Sequence, residues 1–372
     1  MEKQKEQTIK ADRLVSIDAL RGFTMFMLVG GGNILRALPE ISDNAFFRML
    51  DAQNEHVPWE GFHYYDLIFP MFLFIIGLTL PFSYKRRLES ASGKRELYKH
   101  IFIRTIILFI LGLICFGYSD PELKYDGEVI GYYGVLQLLA VGYFFASLIM
   151  LNTSVRGVAI WAGGIMLLYF LIMKFIPVPG YGAGNFTQEG NFNEYISKLV
   201  AANIGIKWRI LLSPYMIPTV STALLGVLTG YWLQSDNTKE KKALGMLVSA
   251  IVLLAAGLIW SIWFPIIKNL WTSSYVLFAG GLTLLNLVLF YWLIDILKYQ
   301  KWAFFFVVVG TNAITIYMLT HVMSFDNISY FFIYGIRDSL GAAQSLVIAL
   351  ISAALEWLLL YYLYINRYFI KL

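Results

Sequence analysis

Apolar runs close to twenty residues long recur from one end of this 372-residue chain to the other. A helical run of that length crosses a hydrocarbon core of about 30 Å. In lipid every backbone N–H and C=O must be paired internally, which leaves only helices or closed barrels. The period-2 alternation of barrel strands is absent from these runs. The sequence therefore predicts an all-α polytopic membrane protein with about ten transmembrane helices. They fall near 15–34, 66–84, 101–118, 131–151, 156–176, 214–233, 243–263, 273–294, 302–321 and 343–365. Mean hydropathy is +0.64, and 14% of residues are charged, against roughly 25% in soluble domains.

The links between the runs alternate in charge. The N-terminus, links 85–100, 152–156, 234–242 and 295–301, and the C-terminal tail together collect 18 of the 29 Lys and Arg residues. The opposite links hold about half as many. The positive-inside rule puts the basic set, and with it both termini, in the cytoplasm. Residues 35–65, 119–130, 177–213, 264–272 and 322–342 then face outward. The net charge of +5 is accounted for by this loop bias and gives no sign of a nucleic-acid partner. The charged start, MEKQKEQTIKADR, precedes no small-residue cleavage site, so the first run reads as a retained helix. Residues 1–372 read as one transmembrane domain, with a cytoplasmic tail at 1–13 and a long outer loop at 177–213 rich in Gly, Asn and aromatics. Segment 328–341 is too short and polar to span and fits the outer interface.

Several chemistries are excluded by residue type and spacing. Cys115 is the single cysteine, so no intrachain disulfide or thiolate metal site can form. His56 and His63 are seven apart without an HExxH or paired cysteines, which fails the spacing of zinc sites. No GxSxG elbow or Walker loop occurs, and no GxGxxG follows a strand.

What stands out is the start of the second run, "NEHVPWEGFHYYDLIFPMFLFIIG", residues 54–77. Ionisable groups beside a span are costly and usually face a bundle interior or an aqueous cavity. His56, Trp59, Glu60, His63 and Asp66 lie within eleven residues there. A histidine titrates near neutral pH and can take a proton from an amine or hydroxyl. Asp66 either caps the following helix, holds a histidine, or does both. The bland alternative is a polar surface loop. In the first run, Asp18 and Arg21 are three apart and share a helix face, as an interfacial ion pair or as the mouth of an anion site. "GGGNI", residues 30–34, ends that run with three glycines, which permit unusual backbone angles and close approach, and with the Asn33 amide. Lys85, Arg86, Arg87, Lys94, Arg95 and Lys99, with Arg104 just beyond, form a basic face suited to lipid headgroups or to a phosphate-rich cofactor. Asn312 and Thr315 lie within a later run, as helix glue or as pocket lining.

"RLVSIDALRGF", the glycine stretch and "HVPWEGFHYYDLIFPMFLFIIG", followed by "GVLQLLAVGYF" and "LWTSSYVLFAGGLTLLNLVLFYWLIDILKYQKWAFFFVVVGTNAITIY", resemble the heparan-α-glucosaminide N-acetyltransferase family. That family lies within a wider superfamily of transmembrane acyltransferases. The resemblance runs from Arg13 to about Tyr317. It implies acetyl transfer across a membrane from cytoplasmic acetyl-CoA to an amino sugar on the far side, without a metal. The family's active histidine falls on His56. Its asparagine falls on Gly32 by count from Asp18, with Asn33 adjacent as a stand-in. The chain departs from the family at Leu138, where Arg often follows Gln137, and at "SPYMIPTVSTALLG", which replaces Asp-Pro-Glu-Gly near the outer mouth. It also lacks the luminal extension of the animal enzymes, as expected of a short bacterial homologue in the inner membrane.

On this reading His56, Asp66 and Asn33 carry the catalysis. Asp18, Arg21, Arg86, Arg87, Arg104, Gln137 and Asn312 hold the acetyl-CoA, and Trp59, Glu60, His63 and Tyr65 meet the acceptor. The rivals are O-acetylation of an envelope glycan with the same donor, and sugar transport without acyl chemistry; no internal repeat of the transporter kind is visible. A homodimer stays open.

Overall fold

In the computed structural model the described residues are 14–89, 93–119, 134–204 and 214–369, excepting the side chains of 86, 88, 89, 116–119 and 200–204. The predicted tail at 1–13, most of the 119–130 link and the end of the 177–213 loop lie outside them. We number the long helices α1 Val15–Phe26, α2 Ile68–Glu89, α3 Gly93–Ser119, α4 Val135–Asn152, α5 Val155–Phe175, α6 Met216–Gln234, α7 Lys239–Ser261, α8 Ser273–Tyr291, α9 Ala303–Thr311, α10 Ala313–Val322 and α11 Gln344–Ile365. Within the described residues each predicted span is helical over most of its length. Among the described residues eight helices are long and apolar enough to cross a membrane; α9 and α10, bent by 71° at their break, form either a broken ninth span or a re-entrant loop. The remaining predicted span, α1, has only 12 residues before it passes into a π turn at Met27–Gly31 and a further helical stretch at Gly32–Arg36. The protein is an integral membrane protein of all-α class.

Local chemistry sets where helices begin. Ser154, Thr238 and Thr272 open α5, α7 and α8, their side-chain oxygens accepting from the N–H groups of Gly157, Lys241 and Tyr275; such caps satisfy donors that a helix start leaves unpaired. The break between α9 and α10 falls on Asn312, whose Nδ2 donates to the Tyr368 carbonyl at 3.1 Å.

Burial sorts the helices into a centre and a periphery. The apolar stretches of α2 and α6 are 72% buried, whereas those of α3 and α7 are 22% buried. Ile103, Ile106, Ile110 and Ile114 follow one another at three- and four-residue steps along α3 and are exposed, as a lipid-facing stripe requires. At the centre α2 packs on α6 and α1 packs on α9. Glycines set both crossings. A Cβ on Gly22 would collide with the Phe306 carbonyl, and one on Gly310 with the carbonyl of Asp18; Gly77 and Gly226 meet Ala223 and Phe74 in the same way. Helices in lipid associate through such close backbone approach, because burial from water supplies no drive there.

Candidate active site

Helices α1 and α2 are antiparallel, so their polar residues gather at opposite ends. The end of α1 near Asn33 and the start of α2 near Asp66 form one cluster. The start of α1 near Arg21 and the end of α2 near Arg87 form the other. From Asp66 to Arg87 is 21 residues, about 30 Å at the helical rise.

The first cluster centres on Asp66, whose side chain is 1% exposed. A 3-10 turn at Tyr64–Leu67 leads into α2 and carries it inward. Its Oδ1 lies 2.8 Å from His56 Nδ1. Its Oδ2 accepts from His63 N at 3.1 Å and Val57 N at 3.4 Å. The carboxylate thus caps the turn and holds the histidine together, with one oxygen for each task. Tyr275 on α8 donates its hydroxyl to the Asp66 carbonyl at 2.8 Å, locking the start of α2 to the bundle. His56 itself is 54% exposed and its ring lies tilted by 44° against that of Tyr65, centroids 4.7 Å apart.

A neighbour unforeseen in the sequence completes the cluster. Lys268 Nζ stands 3.1 Å from Asp66 Oδ1, 2.7 Å from His56 Nδ1 and 3.0 Å from His56 Nε2. Two loops are docked to bring it there. Glu60 pairs with Ile267 as an antiparallel bridge, and Gly61 N donates to the Ile266 carbonyl at 3.0 Å. Thr272 then ties the second loop back on itself, accepting from Ile267 N at 3.2 Å. Burial holds the Lys268 ammonium below the ordinary lysine range, with Asp66 pulling the other way. Sequence reading missed Lys268 because it lies 212 residues from His56; its one signal was a cation in an otherwise sparsely charged outer link.

The end of α1 supplies the opposite wall. Gly31 and Gly32 have ordinary right-handed helical angles, so unusual backbone angles are not what the glycines provide, contrary to one expectation from the sequence. The reason is close approach. The buried Asn54 donates Nδ2 to the Gly32 carbonyl at 2.7 Å, and a Cβ on Gly32 would crowd that amide. Asn54, a second residue missed in the sequence, thereby ties the helical stretch after the π turn to the loop that carries His56. Asn33 is turned toward Arg36, whose guanidinium reaches its Oδ1 at 3.5 Å, also donates to the Asn54 carbonyl at 3.3 Å and lies 5.5 Å from the Tyr65 ring.

The remaining acceptor candidates divide. Trp59 donates Nε1 to the Phe186 carbonyl at 2.8 Å, tying the 177–204 stretch to the His56 loop. His63 directs Nδ1 to the Glu55 carbonyl at 3.1 Å within its own loop. Glu60 is exposed on the bridge to Ile267.

At the opposite end a cavity of about 490 Å³ is lined by Asp18, Arg21, Arg87 and Arg104, together with His100. Four of the cofactor candidates therefore converge, and His100, at the start of α3, joins them unpredicted. Arg21 NH1 lies 3.4 Å from Asp18 Oδ1. Arg104 stands 4.6 Å over the Tyr143 ring, and its buried Nε has no hydrogen-bond partner among the described residues. Deeper in, Met25, Phe72, Leu108, Leu139 and Tyr317 make the lining apolar. Phe72 is six residues from Asp66, about 9 Å along the helix. Gln137 and Asn312 stand behind the wall, whose lining takes their neighbours Leu136, Thr311 and Ala313. Gln137 is fully buried, with both amide atoms unpaired among the described residues. The side chain of Arg86 lies outside the described residues. Among the described residues no three His, Cys, Asp or Glu side chains assemble as a metal would need.

Residues 13–255, well over half of the chain, match a family model described as heparan-alpha-glucosaminide N-acetyltransferase, catalytic. The chain belongs to that family. It is 25% identical to a mouse protein named heparan-alpha-glucosaminide N-acetyltransferase, over 97% of this chain and 61% of the relative. The human protein of the same name is 26% identical, over 97% of this chain and 60% of its own length. The chain thus spans about three fifths of the length of these two members. The matched region contains the His56–Asp66 pair and the residues from Asp18 to Arg104 that line the cavity, whereas Lys268 lies beyond it.

Proposed function

We propose that this protein transfers the acetyl group of cytoplasmic acetyl-CoA to the amine of an extracytoplasmic amino sugar. Loop charge supports that sidedness, with the Arg21 end in the cytoplasm and the His56 end outside, as in a bacterial inner membrane. The observation that carries the reading is the pairing of two unlike sites on one antiparallel helix pair, with an apolar cavity running from one toward the other.

The cavity suits the donor. Arg21, Arg87 and Arg104 offer charge-assisted donors to phosphates, and Arg104 Nε is a buried donor with no acceptor among the described residues. A pantetheine arm is narrow and largely apolar, as is the inner lining at Met25, Phe72 and Leu139. The thioester is then delivered toward Asp66 and His56. There the acceptor nitrogen attacks the thioester carbonyl carbon, and His56 takes the proton the amine gives up. The tetrahedral intermediate collapses by breaking the C–S bond, and CoA leaves as a thiolate that takes the proton from the His56 imidazolium, giving the thiol and returning the ring to its neutral form. Asp66 orients the imidazole and balances the charge it acquires. Asn33 steadies the developing oxyanion, an effect worth a few kcal/mol of barrier where donors are preorganised. Tyr65 and Trp59 line the acceptor side.

The test is purified protein in lipid with labelled acetyl-CoA and glucosamine. Acceptor-dependent release of CoA, lost in His56→Ala, is expected. Release with a hydroxyl acceptor alone selects O-acetylation of a glycan. No release with either, joined to uptake of unmodified sugar into vesicles, overturns the enzyme reading. Acetyl trapped on His56 without acceptor marks a two-step route.

A further inference from the structure

The apolar depth of the cavity carries a hydroxyl. Of Met25, Phe72, Leu108, Leu139 and Tyr317, which line it there, only the tyrosine has an O–H or N–H to donate. Helix α10 brings it to that place. Met318, the next residue, meets Cys115 of α3, with Sγ 2.9 Å from Sδ. Cys115 is 11 residues past Arg104, about 16 Å further along α3 from the arginine cluster. On its other side α10 packs against α1 and the π turn at Met27–Gly31, and Asn33 follows that turn by two residues. The titratable groups close enough to feel a charge on Tyr317 are Cys115 and Tyr65, and the Tyr65 ring lies 4.7 Å from that of His56. Tyr317 thus stands where the cavity ends and the His56 cluster begins.

The fold holds every part of this residue except its hydroxyl. The ring packs on that of His321, centroids 4.4 Å apart. The carbonyl accepts from Thr320 Oγ1 at 3.0 Å and lies 2.8 Å from His321 Nδ1. The side chain is buried, at 8% exposure, yet the hydroxyl has no hydrogen-bond partner among the described residues. Buried polar groups that serve a fold are paired. A phenol keeps its proton at neutral pH, so this one is a donor facing the cavity with nothing to receive it.

We propose that Tyr317 is a catalytic residue whose hydroxyl donates a hydrogen bond to the carbonyl oxygen of the acetyl thioester. The proposal rests on the acetyl-transfer reading. As the acceptor nitrogen adds to the carbonyl carbon, the π pair of the carbonyl moves onto oxygen. The phenol then holds that oxyanion, together with Asn33, without giving up its own proton. When the C–S bond breaks, the pair returns to re-form the C=O bond and the hydrogen bond weakens. A donor that meets the oxyanion more strongly than the ground-state carbonyl lowers the barrier without tightening the binding of substrate.

Tyr317→Phe removes the hydroxyl alone and keeps the ring. Since that group pairs with nothing in the fold, the thermal midpoint should not fall. In lipid, with labelled acetyl-CoA and glucosamine, kcat should drop about 100-fold or more, with KM for acetyl-CoA and the affinity for CoA unchanged. Unchanged kcat, or a raised KM with kcat intact, overturns the proposal. A lowered thermal midpoint joined to lost CoA binding marks a packing role and overturns it as well. A second measurement needs no turnover. The methyl-ketone analogue of acetyl-CoA, with CH2 in place of the sulfur and carbon-13 at the carbonyl, reports the contact by its infrared stretch. Bound to wild type, that band should lie at lower frequency than when bound to Tyr317→Phe; equal frequencies overturn the proposal. Wild type that binds the analogue but acetylates neither an amine nor a hydroxyl acceptor sinks the acetyl-transfer reading, and the band still decides whether Tyr317 meets the carbonyl. Wild type that binds neither acetyl-CoA nor the analogue sinks both.

Discussion

Asp66 divides its carboxylate between His56 on one oxygen and the N–H groups of His63 and Val57 on the other. The sequence left open whether Asp66 caps the helix, holds a histidine or does both, and the buried carboxylate makes both contacts at once. The two tasks separate under mutation. Asp66→Asn keeps an oxygen for the backbone donors and loses the charge that orients the imidazole. Its thermal midpoint should stay near wild type while acetyl transfer falls about 100-fold or more, the range for a general base deprived of its support. Asp66→Ala should lose the cap as well, at about 1 kcal/mol, and unfold earlier. Equal thermal loss in both variants would mean that the carboxylate charge, not the cap, stabilises this turn. Asn54 and Lys268 were illegible for a different reason. An amide or a lysine in a polar loop has no pattern of its own, and each acquires meaning only from the carbonyl or ring it meets.

At the scale of elements, the spans were legible because hydropathy over twenty residues is a strong signal, and the small-residue crossings that join them are less so. Gly22 and Gly310 let α1 and α9 touch backbone to backbone directly beside Asp18 and Thr311, which line the cavity. Gly310→Leu should push α9 away, at a cost of about 1–3 kcal/mol, and move one wall of the cavity. Binding of labelled acetyl-CoA should drop at least 10-fold, whereas carbethoxylation of His56, at the other end of the helices, should be unchanged. Loss at both ends would show that α1 transmits the displacement along its length, and unchanged donor binding would remove the cavity from the donor site. The π turn in α1 was also beyond the sequence. "GGGNI" reads as a helix end, yet the helix continues through it to Arg36, with Asn54 donating to the Gly32 carbonyl from another segment.

For the whole molecule the central feature is polarity, with a basic cavity at one end of the bundle and an imidazole at the other. Loop charge assigns these ends to cytoplasm and exterior. The assignment can be measured directly, since Cys115 is the single cysteine and is buried. In a Cys115→Ala background, Glu55→Cys should react with an impermeant maleimide added to intact spheroplasts. Lys94→Cys should react only in inside-out vesicles. Reaction of both from one side would overturn the topology.

The apolar runs by themselves determined that the chain is helical and spans a membrane, because lipid leaves the backbone no other way to pair. The same runs placed nearly all helix positions, and the clustering of ionisable groups beside them marked His56, Asp66, Arg21 and Arg104. Only tertiary structure decided which of these meet. Arg21, Arg87, His100 and Arg104 share one cavity because α1 to α3 converge there, while Gln137 and Asn312 stand behind its wall. Lys268 joins His56 across 212 residues through a two-residue bridge. Hydropathy is a property of a segment, so it can be read along the chain. A site is a property of distances between segments, and those are fixed by the close packing of helices that the sequence does not list in order.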